Sequence, residues 1–296
     1  MKILSIGECM AELSPQKQAG DFHLGFAGDT FNTVWYLRRL NPDITISYYT
    51  GLGTDAISEQ MRAMIKDNGI DDQYAVVVPG RTVGLYLISL KNGERNFSYW
   101  RGQSAARSLA SDPKVLSRAI DEHDLIYFSG ITLGILDATG RETLLAALQA
   151  GRNAGKTIVF DPNLRPLLWE DTATMRDVTT AGAGVSDIVL PSFEDEAVWF
   201  KDANPKGTTQ RYLSAGATTV IVKNGPNPIY YFSPQGEGTI SVPTITEVID
   251  TTAAGDSFNA AILSGLNERT SLAQSITAGC RLSGSVVQAR GALVTV

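Results

Sequence analysis

Short apolar runs separated by amphipathic stretches dominate the second half of the chain. LIYFSG (125–130), TIVFDP (157–162), DIVLPS (187–192) and TTVIVKNG (218–225) read as strands. Between them, RETLLAALQAGRNAG (141–155) has helical spacing and closes near a glycine. Further helices are predicted around residues 171–184 and over residues 194–201. Near-continuous apolar strands spaced by helices are the pattern of βαβ units in a mostly parallel sheet. Such connections bring the C-terminal strand ends to one edge, where open α/β sheets hold their ligands.

The first hundred residues follow another rhythm. After a strand over residues 3–6, residues 10–28 carry no helical pattern. TVGLYLISLKNGERNFSYW (82–100) reads as two extended runs around Asn92-Gly93, a hairpin turn signal. In the second run Phe97, Tyr99 and Arg101 alternate with Asn96, Ser98 and Trp100, so a period of two puts Tyr99 and Arg101 on one face. Such a face suits a sheet covering a polar ligand, and equally a solvated edge strand. The expectation is one α/β domain over residues 1–296, with a β-rich lid from segments about 10–28 and 80–104. Neither a linker nor an internal repeat is visible.

Composition narrows the field. With 296 residues, 43% hydrophobic and 19% charged, the chain can fill a substantial core. A net charge of −6 without a basic run argues against nucleic acid or an anionic membrane as partner. Cys9 and Cys280 lie far apart and suit a reducing compartment. MKILSIGECMAEL meets Gly7 and Glu8 before any long apolar run, so no signal peptide is expected, and no stretch reaches the ~20 apolar residues of a membrane helix. A soluble cytoplasmic protein is expected.

Two glycine patterns invite a nucleotide-binding reading. GRNAGKT (151–157) has three residues between its glycines where a P-loop has four, and it closes a helix rather than opening one. It reads as a helix C-terminus with a glycine cap and a favourably placed lysine. GLGTDA (51–56) does follow a strand and precede a helix, with Asp71 and Asp72 about twenty residues on. A nicotinamide dehydrogenase is therefore an alternative, although this turn does not belong to the first strand of the chain.

DTTAAGDSFNA (250–260) carries the most chemistry. EVIDTT is extended, AAG lets a backbone approach a ligand, and DSFNAAILSGL begins a helix. The amides of Ala253, Ala254, Gly255 and Asp256 would then sit unpaired at a helix N-terminus, a natural anion site for a transferring phosphoryl group. A carboxylate beside a phosphate repels it, so Asp256 needs a reason to be there. A general base for an attacking hydroxyl is one; a plain helix cap by Asp256 or Ser257 is the other.

This stretch resembles the D-T-x-G-A-G-D signature of the ribokinase-like (PfkB) sugar kinases. AGDTFNTVWYLRRL (27–40) resembles their G-G-x-x-x-N segment, and GLGTDAISEQM their following G-x-x-G-x-D-x-x-G turn, in the right order along essentially the whole chain. The resemblance implies a three-layer α/β/α fold with a mostly parallel central sheet and a small β-sheet lid. It implies ATP and Mg²⁺ as cofactors, and leaves room for a monovalent cation near Asp250. Asp256 would be the catalytic base, with Ala253, Ala254 and Gly255 forming the anion hole. Asn163, Ser192, Lys223 and Gly225 would belong to the nucleotide side, Lys223 otherwise being a solvated strand-end lysine. Two departures stand out. Ala253 replaces a usual glycine, which is tolerable if its φ is negative. The N-x-x-E motif appears as Ser192-Phe-Glu-Asp195, so Asp195 or Glu196, with Glu194 adjacent, would assist the metal indirectly.

TVGLYLISL…NFSYWRGQSA followed by DPNLRPLLW is similar to the 2-keto-3-deoxygluconate kinases within that family, which share the D-T-T-A-A-G-D form. In them Gly28, Asp29, Asn32, Tyr86, Tyr99, Arg101 and Arg165 match substrate contacts, although Asp29 and Asn32 could equally cap the helix that follows. A sugar acid calls for a guanidinium, and Arg101 and Arg165 supply two. Glu8 stands where the family more often has aspartate. The implied activity is ATP-dependent phosphorylation of the terminal (6-) hydroxyl of 2-dehydro-3-deoxy-D-gluconate, in a homo-oligomer formed through the lid. A fructokinase or other neutral-sugar kinase, and a non-catalytic sugar-binding regulator, are the alternatives.

Overall fold

The structure, a computed structural model, describes residues 1–18, 20–91 and 94–296. Eight strands form the main sheet in the order Gly236–Ile240, Ile229–Ser233, Thr219–Val222, Ile188–Val189, Thr157–Asp161, Leu125–Ser129, Lys2–Ile6 and Thr45–Tyr49. The six strands from Thr219–Val222 to Thr45–Tyr49 run parallel, and the two at the other edge are antiparallel.

Consecutive strand residues enter different cores, which explains the unbroken apolar runs. Ile3, Leu125, Tyr127 and Val159 face one cluster, joined by Phe31 and Leu37 of helix Asp29–Leu40 and by Ile262 of helix Ala254–Glu268. Leu4, Ile126, Phe128, Ile158 and Phe160 face the other, with Leu148 of helix Ala138–Asn153 and Met175 of helix Thr172–Gly184. Because side chains alternate across a strand, both faces must be covered, and three layers result. Phe128 and Phe160 stack at 4.6 Å between centroids; truncating either to alanine would cost about 3–5 kcal/mol.

A second sheet has four strands in the order Phe22–Ala27, Met10–Pro15, Gly84–Lys91 and Glu94–Trp100. The segment of residues 10–28, which shows no helical pattern, thus supplies the strands Met10–Pro15 and Phe22–Ala27. Gly84–Lys91 and Glu94–Trp100 pair antiparallel, while the Asn92-Gly93 turn itself lies outside the described residues.

Three elements differ from the sequence pattern. Regular pairing in residues 187–192 is confined to Ile188–Val189, although the Leu190 N–H still donates to Phe160 O (2.8 Å). Helix Pro205–Ala215 and the hairpin Ile229–Ser233/Gly236–Ile240 escaped the strand-helix reading. The helix has eleven residues of weak amphipathic contrast, and the hairpin is half-exposed, so neither writes a clear period. No helix among the described residues is long and apolar enough to cross a membrane.

Candidate active site

Strands Lys2–Ile6, Leu125–Ser129, Thr157–Asp161 and Thr219–Val222 all end at one edge, where helix Ala254–Glu268 also begins. Two adjoining cavities open there. One, of about 440 Å³, is lined by Glu194, Asn224, Gly225, Phe258 and Cys280. The other, of about 520 Å³, is lined by Gly28, Asp29, Asn32, Tyr86, Tyr99 and Asp256. Arg165, Ser192, Asp195, Lys223, Thr251 and Gly255 line both. Those shared residues mark the passage between the two cavities.

Asp256 does not cap its helix. Its carboxylate accepts a 2.8 Å hydrogen bond from Asn32 Nδ2, and the Ser257 hydroxyl donates to Ala254 O (3.0 Å). The helix start has no side-chain cap at all. Asn32 is aimed by its other end, because Gly28 N–H donates to its Oδ1 (3.2 Å). Gly28 is required by proximity: a Cβ there would lie 2.1 Å from Glu8 O. Burial pushes the Asp256 carboxyl up to about 7, and the nearby Asp29 charge adds to the rise. A carboxyl poised near neutrality can take a proton in a reaction at neutral pH.

The anion cradle departs from expectation in two respects. Ala253 sits in the left-handed region, φ 60°, so the alanine does not avoid positive φ. For a residue with a Cβ this costs roughly 1 kcal/mol. The Ala254 N–H is not unpaired either, since it donates to Thr251 O (3.2 Å). The first-turn amides left to face a ligand are those of Gly255 and Asp256, with Ala253 at the turn.

Lys223 is no solvated lysine. It is 9% exposed, and Nζ donates to Asp161 Oδ2 (2.8 Å) and Asn259 Oδ1 (3.2 Å). Asn259 Nδ2 donates in turn to Asp161 Oδ2 (2.6 Å) and the Tyr127 hydroxyl (3.0 Å). Asp161, Asn259 and Tyr127 were not singled out from the sequence. Asp161 could have been, as an acid at a strand end, and Asn259 as the residue one turn beyond Asp256.

Asn163, expected on the nucleotide side, instead lines the cavity of Asp29 and Asp256. Its Nδ2 donates to Asp29 Oδ2 (2.8 Å) from a left-handed backbone, φ 34°, which asparagine tolerates. Burial raises the Asp29 carboxyl, against the hydrogen bonds from Ser129 and Asn163.

The four-stranded sheet contributes Tyr86, Phe97 and Tyr99 to the same cavity. The Tyr86 hydroxyl donates to Glu12, a partner the sequence did not suggest. Arg101, expected beside Tyr99 in the cavity, lies outside the lining and is ion-paired with Glu8, which is 1% exposed. The strand ends at Trp100, so the alternation that aligned Arg101 with Tyr99 stops before it. Arg165 does reach the cavities, half-exposed and 3.5 Å from Asp195 Oδ2.

Of the two acids considered for the metal, Glu196 faces away from the cavities. It is fully buried behind the strand edge, accepting from Arg211 Nη2 (2.6 Å) and the Tyr212 hydroxyl (2.8 Å), and lines neither cavity. Asp195 lines both. Among the described residues no three His, Cys, Asp or Glu side chains gather to hold a metal. One carboxylate at the passage fits Mg²⁺, which is usually held by one or two carboxylates together with substrate phosphates. Near Asp250, where a monovalent cation was expected, the carboxylate accepts from Thr252 N and Oγ1 (3.0 and 2.7 Å) and from Gly291 N (2.9 Å).

The glycine turn at residues 51–56 is filled by protein. A Cβ on Gly51 or Gly53 would lie 2.3 Å from Ala105 O or 2.0 Å from Arg81 O. Asp55 caps the next helix, and Asp72 pairs with Arg62 at 2.8 Å. These glycines and acids are spent on close packing, capping and ion pairing within the protein. At residues 151–157, Gly155 takes φ 85° after helix Ala138–Asn153, the expected helix stop.

Two cavities meeting at a helix N-terminus, beside a carboxyl raised to about 7, form an arrangement suited to phosphoryl transfer. The chain belongs to the pfkB family of carbohydrate kinases, whose pattern matches residues 1–295. It is 38% identical to a 2-dehydro-3-deoxygluconokinase of Haemophilus influenzae, over 99% of this chain and 95% of that protein. It is 36% identical to the enzyme of the same name from Escherichia coli K12, over 99% and 97%. Among solved structures, a PfkB protein from Polaromonas sp. JS666 superposes with a TM-score of 0.86 at 26% identity, covering 97% of this chain and 96% of the other.

Proposed function

We propose that the protein is an ATP-dependent kinase that phosphorylates the 6-hydroxyl of 2-dehydro-3-deoxy-D-gluconate. The observation that carries this reading is the Asp256 carboxylate, held by Asn32 rather than spent on a cap, where the two cavities meet. The names of the relatives at 36–38% identity support the choice of substrate. ATP occupies the cavity of Asn224 and Gly225, and the sugar acid that of Gly28, Asp29, Asn32, Tyr86 and Tyr99. Asp256 takes the proton of the attacking hydroxyl, while the first-turn amides receive charge from the transferring group. Bound Mg²⁺, assisted by Asp195, would neutralise phosphate charge.

Arg165 is the guanidinium offered to the carboxylate of the sugar acid. Arg101 joins it only by exchanging Glu8 for the substrate, as the lid formed by segments about 10–28 and 80–104 closes over the sugar cavity. Exposed Phe22 and Trp100 on that sheet support pairing of two copies through it. A coupled assay of ADP release tests the reading, run in the presence and absence of potassium. 2-Dehydro-3-deoxy-D-gluconate should be phosphorylated with the highest kcat/KM, ahead of fructose and ribose; fructose in first place would replace the substrate assignment.

A further inference from the structure

The kinase reading leaves one buried cation without a task. Lys223 lines both cavities, and its ammonium is directed by two partners, Asp161 and Asn259. Three donors on one nitrogen minus two hydrogen bonds leave one free for a ligand. That nitrogen would lie 3.6 Å from a Cβ placed on Gly255, so it sits against the first turn of the anion cradle. A lysine binding only the outer phosphates or the base of a nucleotide has no reason to line the sugar cavity as well. A purely structural ion pair, likewise, has no reason to stand at the passage between two ligands.

Resting on the proposed kinase activity, the geometry points to Lys223 as the catalytic cation that holds the phosphoryl group in flight, with Asp161 and Asn259 as its positioning residues. In that step the sugar hydroxyl oxygen forms a bond to the γ-phosphorus while the bond to the bridging β–γ oxygen breaks. ADP leaves with that bond's electron pair, and the hydroxyl proton passes to Asp256. Negative charge spreads over the three outer oxygens of the moving group, where a fixed ammonium is most effective. The Asn259–Tyr127–Thr33 chain of hydrogen bonds runs from Lys223 into the helix that carries Asp29 and Asn32. The cation is thereby held in register with the sugar.

The test is steady-state kinetics of Lys223→Met with Mg-ATP and 2-dehydro-3-deoxy-D-gluconate, with binding of a non-hydrolysable ATP analogue measured separately. The expected result is a loss of ~100-fold or more in kcat at saturating substrates, with analogue affinity within ~3-fold of wild type. The acid limb of kcat/KM should also move to higher pH, because Lys223 opposes the rise of Asp256. Lys223→Met leaves Asp161 buried without its cation, so Lys223→Met/Asp161→Asn is the second variant. It should recover the melting temperature but not the rate.

Near-wild-type kcat in a folded variant would overturn the assignment. So would a loss confined to nucleotide affinity, or a double variant that recovers rate together with stability. A wild-type protein that phosphorylates no sugar or sugar acid would instead refute the kinase reading, and this inference with it.

Discussion

Consider Asp256→Asn in the protein without ligands. The carboxyl is raised from 3.8 to about 7, first by burial and then by the Asp29 charge. Between those values the folded state holds a proton that the unfolded state has lost. Wild-type stability therefore falls as pH rises from about 4 to about 7, at up to 1.36 kcal/mol per pH unit. The full difference is roughly 4 kcal/mol. Because the side chain is only half-buried and faces a cavity, solvent returns part of that, leaving ~2 kcal/mol.

Asparagine has no such dependence and can still accept from Asn32. The variant should thus melt ~2–4 °C above wild type at pH 8, and the gap should shrink to about a third at pH 5. Phosphoryl transfer should fall by ~100-fold or more while sugar binding persists. Calorimetric melts at the two pH values and a coupled assay read both effects. A variant less stable than wild type at pH 8, or a gap independent of pH, would refute the account of Asp256 as a carboxylate kept at a stability cost for its chemistry.

The pH profile of kcat/KM should lose activity below about 7, as Asp256 protonates, and Asn32→Leu should move that limb upward because the hydrogen bond from Asn32 favours the carboxylate. An unmoved limb in that variant would separate Asn32 from the base. Asp195→Asn should raise the Mg²⁺ concentration needed for half-maximal rate by ~10-fold, whereas Glu196→Gln should leave the Mg²⁺ titration unchanged and lower the melting temperature; the reverse pattern would restore Glu196 as the metal's assistant. Arg165→Ala should raise KM for the sugar acid ~10-fold or more and leave fructose use nearly unaltered, and an equal effect on both would remove Arg165 as a carboxylate reader.

Much of the architecture was legible in the chain because period and composition are local. The runs LIYFS and TIVFD are buried on both faces, and residues 10–28, which carry no helical pattern, hold the strands Met10–Pro15 and Phe22–Ala27. The turn into helix Ala254–Glu268 was legible for a similar reason: two alanines, a glycine and an aspartate at a helix start describe a backbone turn and a charge within a few residues. Side-chain direction is decided by packing between distant segments, and there local pattern fails. Arg101 follows its strand but turns to Glu8, 93 residues away in sequence. Glu194, Asp195 and Glu196 are neighbours, yet helical geometry points one at the passage and buries another against Arg211.

By itself, the sequence pointed to the α/β class, a β-rich addition, the ligand edge and Asp256 as an acid at a helix start. Each of these rests on spacing along a single segment. Only the tertiary structure decided that Asp256 is held by Asn32, that Ala253 takes a left-handed conformation, and that Lys223 is buried between Asp161 and Asn259. The hydrogen bonds among them join residues 36 to 224 positions apart. A hydrogen bond across such a separation exists only once the sheet has closed both cores and brought the segments to one edge.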